Sequence, residues 1–203
     1  KSEFAMTLLR KTVANIADST YIGAPTFNIT MDTLIKGFRR TGDIEMAQMI
    51  YFFSKKDPDK IRENIYTKDP EKIRQDVAAI VSKHGEYDFD RSRMKPDYGL
   101  SVVRSGSLFA SDSNQPYDTQ RDFWLSYTEV GGHGHPDMLN LGADAFGLEV
   151  LPEFGYPEAN DGSDIHTNWG FQTVNHNTVV VNDKRQETIY TSGFPRHFDD
   201  SGI

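Results

Sequence analysis

Hydrophobic positions recur at helical spacing through the first part of the chain and alternate through the second. Phe4, Leu8, Leu9, Val13 and Ile16 share one helical face. Asp18-Ser19-Thr20 breaks that pattern, and Gly23 and Pro25 make residues 21–27 a loop. Asn28 or Thr30 then caps a second predicted helix carrying Leu34, Ile35 and Phe38 and ending near Gly42. Ile44, Ala47, Ile50 and Phe53 mark a third, stopped by Asp57-Pro58-Asp59. Asp69-Pro70 reads as an N-cap carboxylate followed by proline at the first helical position. Ile73, Val77, Ile80 and Val81 form the stripe of that fourth helix, and Gly85 sits where a C-terminal glycine belongs.

The pattern changes after Gly85. Residues 86–98 are polar and charged, contain Pro96, and read as a linker. From Gly99 onward the chain predicts short strands separated by Gly, Asn, Asp and Ser, over residues 100–104, 107–110, 123–129, 138–144 and 178–181. Phe123, Leu125 and Tyr127 alternate with Trp124, Ser126 and Thr128, as in a sheet with two unlike faces. The predicted organisation is α+β: antiparallel helices over 1–85, a linker over 86–98 and antiparallel β structure over 99–203. The start Lys1-Ser2-Glu3-Phe4 and the stop at Gly202-Ile203 without a closing element make the chain read as a piece of something longer.

Composition narrows the function classes. The net charge of −8 over 203 residues argues against a general nucleic-acid binder, which needs a basic face. Arg39-Arg40, Lys55-Lys56 and Arg91/Arg93/Lys95 read as solvated groups. Mean hydropathy is −0.58, and no apolar run approaches the roughly 18–20 residues of a membrane helix. No apolar leader segment is visible at the start. With no cysteine, any metal must be held by His, Asp or Glu, which suits zinc, manganese or iron.

Candidate chemistry centres on Gly131-Gly132-His133-Gly134-His135-Pro136-Asp137, which holds two of the six histidines. In an extended chain His133 and His135 share a face, about 6–7 Å apart at Cα. The glycines leave room for a metal or a substrate. Leu151-Pro152-Glu153-Phe154-Gly155-Tyr156 adds a carboxylate in an apolar setting, and Asn175-His176-Asn177-Thr178 adds a third imidazole. This makes a three-ligand metal set with a spare histidine. Asp137, on the face of His133 and His135, is a rival ligand or a turn residue. Glu153 alternatively pairs with Arg104, and the histidines alternatively serve as hydrogen-bonding core residues. Tyr156 and Trp169 are either sugar-stacking or core aromatics. Asn28-Ile29-Thr30 fits a glycosylation acceptor. His84, His166 and His197 sit in no pattern.

The ordered set H-x-H, Leu-Pro-Glu-Phe-Gly and His-Asn-Thr-Val-Val-Val, with Ala145-Phe146-Gly147 and the strand from Leu100, resembles the heparinase II/III-like polysaccharide lyases over about residues 99–182. Residues 23–28 and 40–43 resemble the end of that family's toroid more loosely. The resemblance implies an α/α toroid followed by an antiparallel β-sandwich. It implies β-elimination on uronic-acid polysaccharide, with an acidic polysaccharide or oligosaccharide as partner. It further implies a zinc ion, mainly structural, on His135, Glu153 and His176, with His133 in the catalytic cleft; Tyr156, from its aromatic face, is the substrate-binding candidate. The family usually has Asp where Glu153 stands. Its catalytic Tyr comes from the toroid; Tyr21 is the one tyrosine here in a suitable early loop, and the remainder of the same protein is the expected source of the missing half-site. Family members are secreted or periplasmic. Two other readings stay open: a cupin-like metal enzyme, although Glu153 lies 18 residues beyond His135 (153 − 135), and a non-catalytic carbohydrate-binding sandwich.

Overall fold

The structure is a computed structural model that describes residues 7–8, 12–13, 30–62, 69–106, 121–128, 134–155, 164–187, 190 and 193–199. The chain forms two compact units that divide between Asp88 and Phe89, with residues 4–26 grouped in the second.

Over its described residues, the first helix expected from the sequence is replaced by two short strands. Thr7–Leu8 (β1) and Thr12–Val13 (β2) pair antiparallel, Thr7 opposite Val13 and Leu8 opposite Thr12. Three of these four residues are β-branched, a residue type that favours an extended backbone over the helix that the stripe from Phe4 to Ile16 suggested.

In the first unit three helices form where the sequence places them. Helix α1 is Met31–Thr41, α2 is Ile44–Phe53, ending ahead of the predicted Asp57-Pro58-Asp59 stop, and α3 is Pro70–His84. The side chains of Thr30, Asp43 and Asp69 accept hydrogen bonds from the amides of Thr33, Met46 and Lys72. Each such cap is worth about 1 kcal/mol. Gly42 closes α1 in the left-handed region, φ 66°, where its N–H donates to the Phe38 carbonyl. Leu34, Ile35, Ala47, Met49, Ile50, Ile73 and Val77 are fully or nearly fully buried, and α2 packs against both other helices. Ile44, placed on the predicted stripe, is exposed instead, because the buried face of α2 centres on Ala47–Ile50. Gln48 donates from one amide nitrogen to the carbonyls of Gly85 and Glu86, tying α2 to the chain leaving α3.

The second unit holds five antiparallel strands in sequential order: β3 Arg93–Lys95, β4 Leu100–Ser105, β5 Arg121–Ser126, β6 Asn140–Ala145 and β7 Leu148–Leu151. β3 lies inside the stretch read as a linker; a three-residue strand of Arg, Met and Lys has no hydrophobic alternation to announce it. The turn from β6 to β7 is Phe146-Gly147, both at positive φ (56° and 74°), the geometry whose twist suits a two-residue hairpin. The guanidinium of Arg121 stacks 3.8 Å over the Phe146 ring.

Leu100, Val102 and Trp124 cover the buried face. Gly142 stands opposite Trp124, and a Cβ there would fall 1.9 Å from the indole Cε2, so only glycine lets the ring lie across β6. Phe123, Leu125 and Leu141 occupy the other face and are partly exposed. The strand expected over 178–181 is replaced by a turn: Val181 makes a single bridge to Lys184 around Asn182 and Asp183, both left-handed. Asn and Asp tolerate that conformation, so the valine run does not extend into a strand. The expected strand over 107–110 lies outside the described residues.

One cross-strand rung of the buried face is charged. Arg104, Asp122 and Asp144 face one another across β4, β5 and β6, and Glu149 continues the row on β7. Arg104 Nε lies 3.4 Å from Asp122 Oδ1, with both side chains at most 2% exposed. Arg104 also donates to the Phe89 carbonyl at 2.7 Å. Burial, then the charges of Asp122 and Glu149, push the Asp144 carboxyl up to about 8, and burial raises Glu149 as well.

The sign follows from proton counting. Between its ordinary value and about 8 the folded protein holds a proton on Asp144 that the unfolded chain has released. The stability given by this group is therefore complete at low pH, is lost as pH rises from the ordinary carboxylate range to about 8 by at most about 1.4 kcal/mol per pH unit, and levels off above that. Urea unfolding across pH 5–8.5 is expected to show this decline in the wild type and a flatter profile in Asp144→Asn. Equal slopes for the two proteins would refute the assignment.

Candidate functional site

The site lies around the chain between His135 and β6. The H-x-H run is not an extended strand edge over its described part. The Asp137 N–H donates back to the His135 carbonyl at 2.9 Å across Pro136, making a tight turn. Proline fixes φ and carries no N–H, so this stretch bends instead of joining the sheet. His133 lies outside the described residues, as do Tyr156 and Tyr21.

His135 is 1% exposed, with its ring centroid 5.3 Å from both the Phe171 and the His176 rings. Glu153 follows β7 and is 3% exposed. Its Oε1 lies 3.0 Å from His176 Nδ1 and also accepts the Phe154 amide at 3.0 Å. Its Oε2 accepts from Asn140 Nδ2 at 2.6 Å. One ligand-type atom from each of His135, Glu153 and His176 lies within 4.8 Å of the others, and these three make the one such His/Asp/Glu group among the described residues.

Glu153 thus pairs with His176, while Arg104 pairs with Asp122. Asp137, the rival ligand, is buried beside the triad and accepts from Asn140 Nδ2 at 3.1 Å. Burial raises its carboxyl to about 6; the His176 charge opposes that rise and Glu153 adds to it. Trp169 is exposed and packs edge-on against the exposed Phe154 at 4.7 Å.

The tautomer of His176 follows from its partners. Its Nε2 lies 2.8 Å from the Gly170 carbonyl, which can only accept, so Nε2 carries a hydrogen. Nδ1 faces the Glu153 carboxylate, which favours a second hydrogen there. Burial works against the resulting imidazolium, but the hydrogen bond and charge of Glu153, with the charge of Asp137, outweigh it and raise the pKa. A divalent ion fits this arrangement by replacing the Nδ1 proton, while Nε2–H keeps its bond to Gly170. A ligating imidazole anchored through its other nitrogen is the usual arrangement at such centres. Two imidazole nitrogens and a carboxylate oxygen suit zinc, whose ligands at 2.0–2.2 Å stand roughly 3.3 Å apart, close to the 3.0 Å found between Glu153 and His176.

The Asn-His-Asn-Thr motif anchors this imidazole with its other three side chains. Asn175 donates to the Trp169 carbonyl at 2.8 Å, Asn177 to Pro152 at 3.0 Å and Thr178 to Met138 at 2.5 Å. The Leu141 amide donates to Asn177 at 2.9 Å, fastening the motif to β6. These roles were hidden in the sequence, where a polar run before valines looks like a strand start. Gln186 and Thr173 were not singled out either. Gln186 brackets Met138, accepting from its N–H and donating to its carbonyl. Thr173, 1% exposed, donates to the Pro136 carbonyl at 2.6 Å and accepts the Gln186 amide at 2.8 Å.

Thr173→Val keeps the shape and removes both bonds, leaving the buried Pro136 carbonyl and the part-buried Gln186 amide without their partner. The variant is expected to lose about 1–3 kcal/mol of stability in urea unfolding. An unchanged midpoint would show that this link carries no weight.

No curated protein matches the chain. Two solved structures of heparinase III resemble it, one of them with methylated lysines. They share 17% and 18% of residues with it, with TM-scores of 0.50 and 0.49. Each comparison covers 92% of this chain and 23% of the other, so the chain spans under a quarter of the length of these relatives. At that identity the likeness concerns the fold. Residues 91–194 match the family described as heparinase II/III-like, C-terminal, a span that takes in the whole sheet β3–β7 and all three residues of the buried triad. With just over half of its length inside that match, the chain belongs to the heparinase II/III-like C-terminal family.

Proposed function

We propose that this chain is the metal-organised part of a polysaccharide lyase that cleaves uronic-acid-containing polysaccharide by β-elimination. The observation that carries the reading is the buried His135/Glu153/His176 cluster inside a stretch that matches the heparinase II/III-like family. Nothing of this kind supports the cupin-like alternative, and the first unit is helical where a barrel enzyme would not need it. A secreted or periplasmic location and an acidic polysaccharide partner belong to the same proposal. Among the described residues no helix is long and apolar enough to cross a membrane.

In β-elimination a base removes the C5 proton of the uronate. The electron pair forms the C4–C5 double bond, and the C4–O bond breaks as the departing oxygen takes a proton from an acid. The C5 proton is a poor acid because the neighbouring carboxylate already carries a charge. Donors must therefore stand where the enolate charge develops. His133 is assigned to the cleft, where a neutral imidazole serves as base or carboxylate partner. Tyr156 is assigned to substrate binding, with its ring against a sugar face. His135, Glu153 and His176 hold the zinc, and bound there it supplies structural cross-linking. His135, held by the ion, would then anchor the chain two residues from His133 in sequence.

Full-length protein incubated with heparan sulfate, hyaluronan, chondroitin sulfate and alginate is expected to generate the ultraviolet absorbance of unsaturated uronate ends on at least one polymer. His133→Ala should lower that rate by about 10²-fold or more. A folded full-length protein that binds these polymers without any rise in absorbance would make the non-catalytic carbohydrate-binding reading the correct one.

A further inference from the structure

Asn140 is fully buried at the first position of β6, opposite Ser126, between the carboxylate of the triad, Glu153, and that of Asp137 beside it. Residues 137 and 140 are three apart, and in a continuous strand they would point to opposite faces. The turn at Met138-Leu139 prevents this. Leu139 stands in the left-handed region at φ 65°, an unfavourable conformation for a leucine. That turn brings Asn140 and Asp137 to the same side. The Asn140 amide nitrogen has two hydrogens and spends them on Asp137 Oδ2 at 3.1 Å and Glu153 Oε2 at 2.6 Å. Both partners are carboxylates, so only the NH2 end can face them. The amide oxygen has no hydrogen-bond partner among the described residues, so the orientation of the side chain is set by the two carboxylates.

We propose that Asn140 is the positioning residue of the metal centre: it occupies Glu153 Oε2, so that Glu153 meets the ion through Oε1 alone, on the side of His176. This rests on the metal-centre reading above. Glu153 is free to chelate with both oxygens only if Oε2 is released, and Asn140 is what holds it. With that oxygen held, the site offers one atom per residue, the number a four-coordinate zinc with one further ligand requires. Asn140 also keeps Asp137 pinned beside the triad instead of within it.

The test compares wild type, Asn140→Leu and Asn140→Ser, each stripped with chelator and reloaded with zinc or with cobalt(II). Asn140→Leu removes both donors at similar volume, and Asn140→Ser restores one. The expected result for Asn140→Leu is zinc affinity lower by about 10–100-fold. Its visible cobalt band should also weaken, because a two-oxygen Glu153 raises the coordination number. Asn140→Ser should recover part of both. If Asn140→Leu fails to fold, the band and affinity of Asn140→Ser decide, since a change in fold stability alone leaves the cobalt spectrum of folded protein as it was. Wild-type uptake with variants of unchanged affinity and spectrum would overturn the role of Asn140 while leaving the metal centre standing. No zinc or cobalt uptake by the wild type would overturn both.

Discussion

Two carboxylates and two imidazoles are buried together beside the start of β6, and charge at that density has to be satisfied locally. The Glu153–His176 contact at 3.0 Å is the centre of the arrangement. Each flanking element reads as a response to it. Asn140 supplies donors to Glu153 and Asp137, and Gly170 supplies an acceptor to His176. Buried charges unpaired in this way would cost several kcal/mol each. The same physics makes the cluster hospitable to a dication, because a 2+ ion balances two carboxylates while leaving the imidazoles neutral.

The surrounding loops are irregular because the site needs side chains on one side that a regular strand would alternate. Pro136 bends the chain after His135, and Leu139 accepts a left-handed backbone before Asn140. The cost of such bends is offset by side chains that grip the backbone carbonyls and amides, with Thr173, Thr178 and Gln186 all fastened to the stretch from Pro136 to Met138. The sheet behind provides the rigid wall. Trp124 lying across Gly142 locks β5 to β6, and β6 carries Asn140 at one end and the charged Asp144 rung near the other.

Much of this was legible in the sequence, and the reasons differ by element. Helices α1 and α3 announced themselves because the stripe, the N-cap and the terminal glycine agree at Thr30/Gly42 and Asp69/Gly85, whereas α2 showed only its stripe. The grouping of His135, Glu153 and His176 followed from the family resemblance that the ordered motifs carry; the residues alone left the first histidine of the pair and Asp137 as rivals. The short β1–β2 pair did not, since Leu9 and Val13 stand at helical spacing and a two-residue strand is too short to show alternation. Nor did the turn at 178–184, where Thr178 bonds to Met138, forty residues away in sequence. Asn140 was invisible for the same reason: its partners are fixed by tertiary contact, and nothing local marks an asparagine at a strand start as a clamp. His133 and Tyr156, prominent in the sequence reading, lie outside the described residues, so their assignment still rests on the motif.

The most direct measurement is elemental analysis of metal per chain, on wild type and His135→Ala purified side by side after zinc supplementation and desalting. The account predicts about one zinc per wild-type chain and essentially none in the variant, with the variant still folded by circular dichroism. A wild type without metal, or a variant that keeps its zinc, would contradict the assignment of His135, Glu153 and His176 as the metal centre.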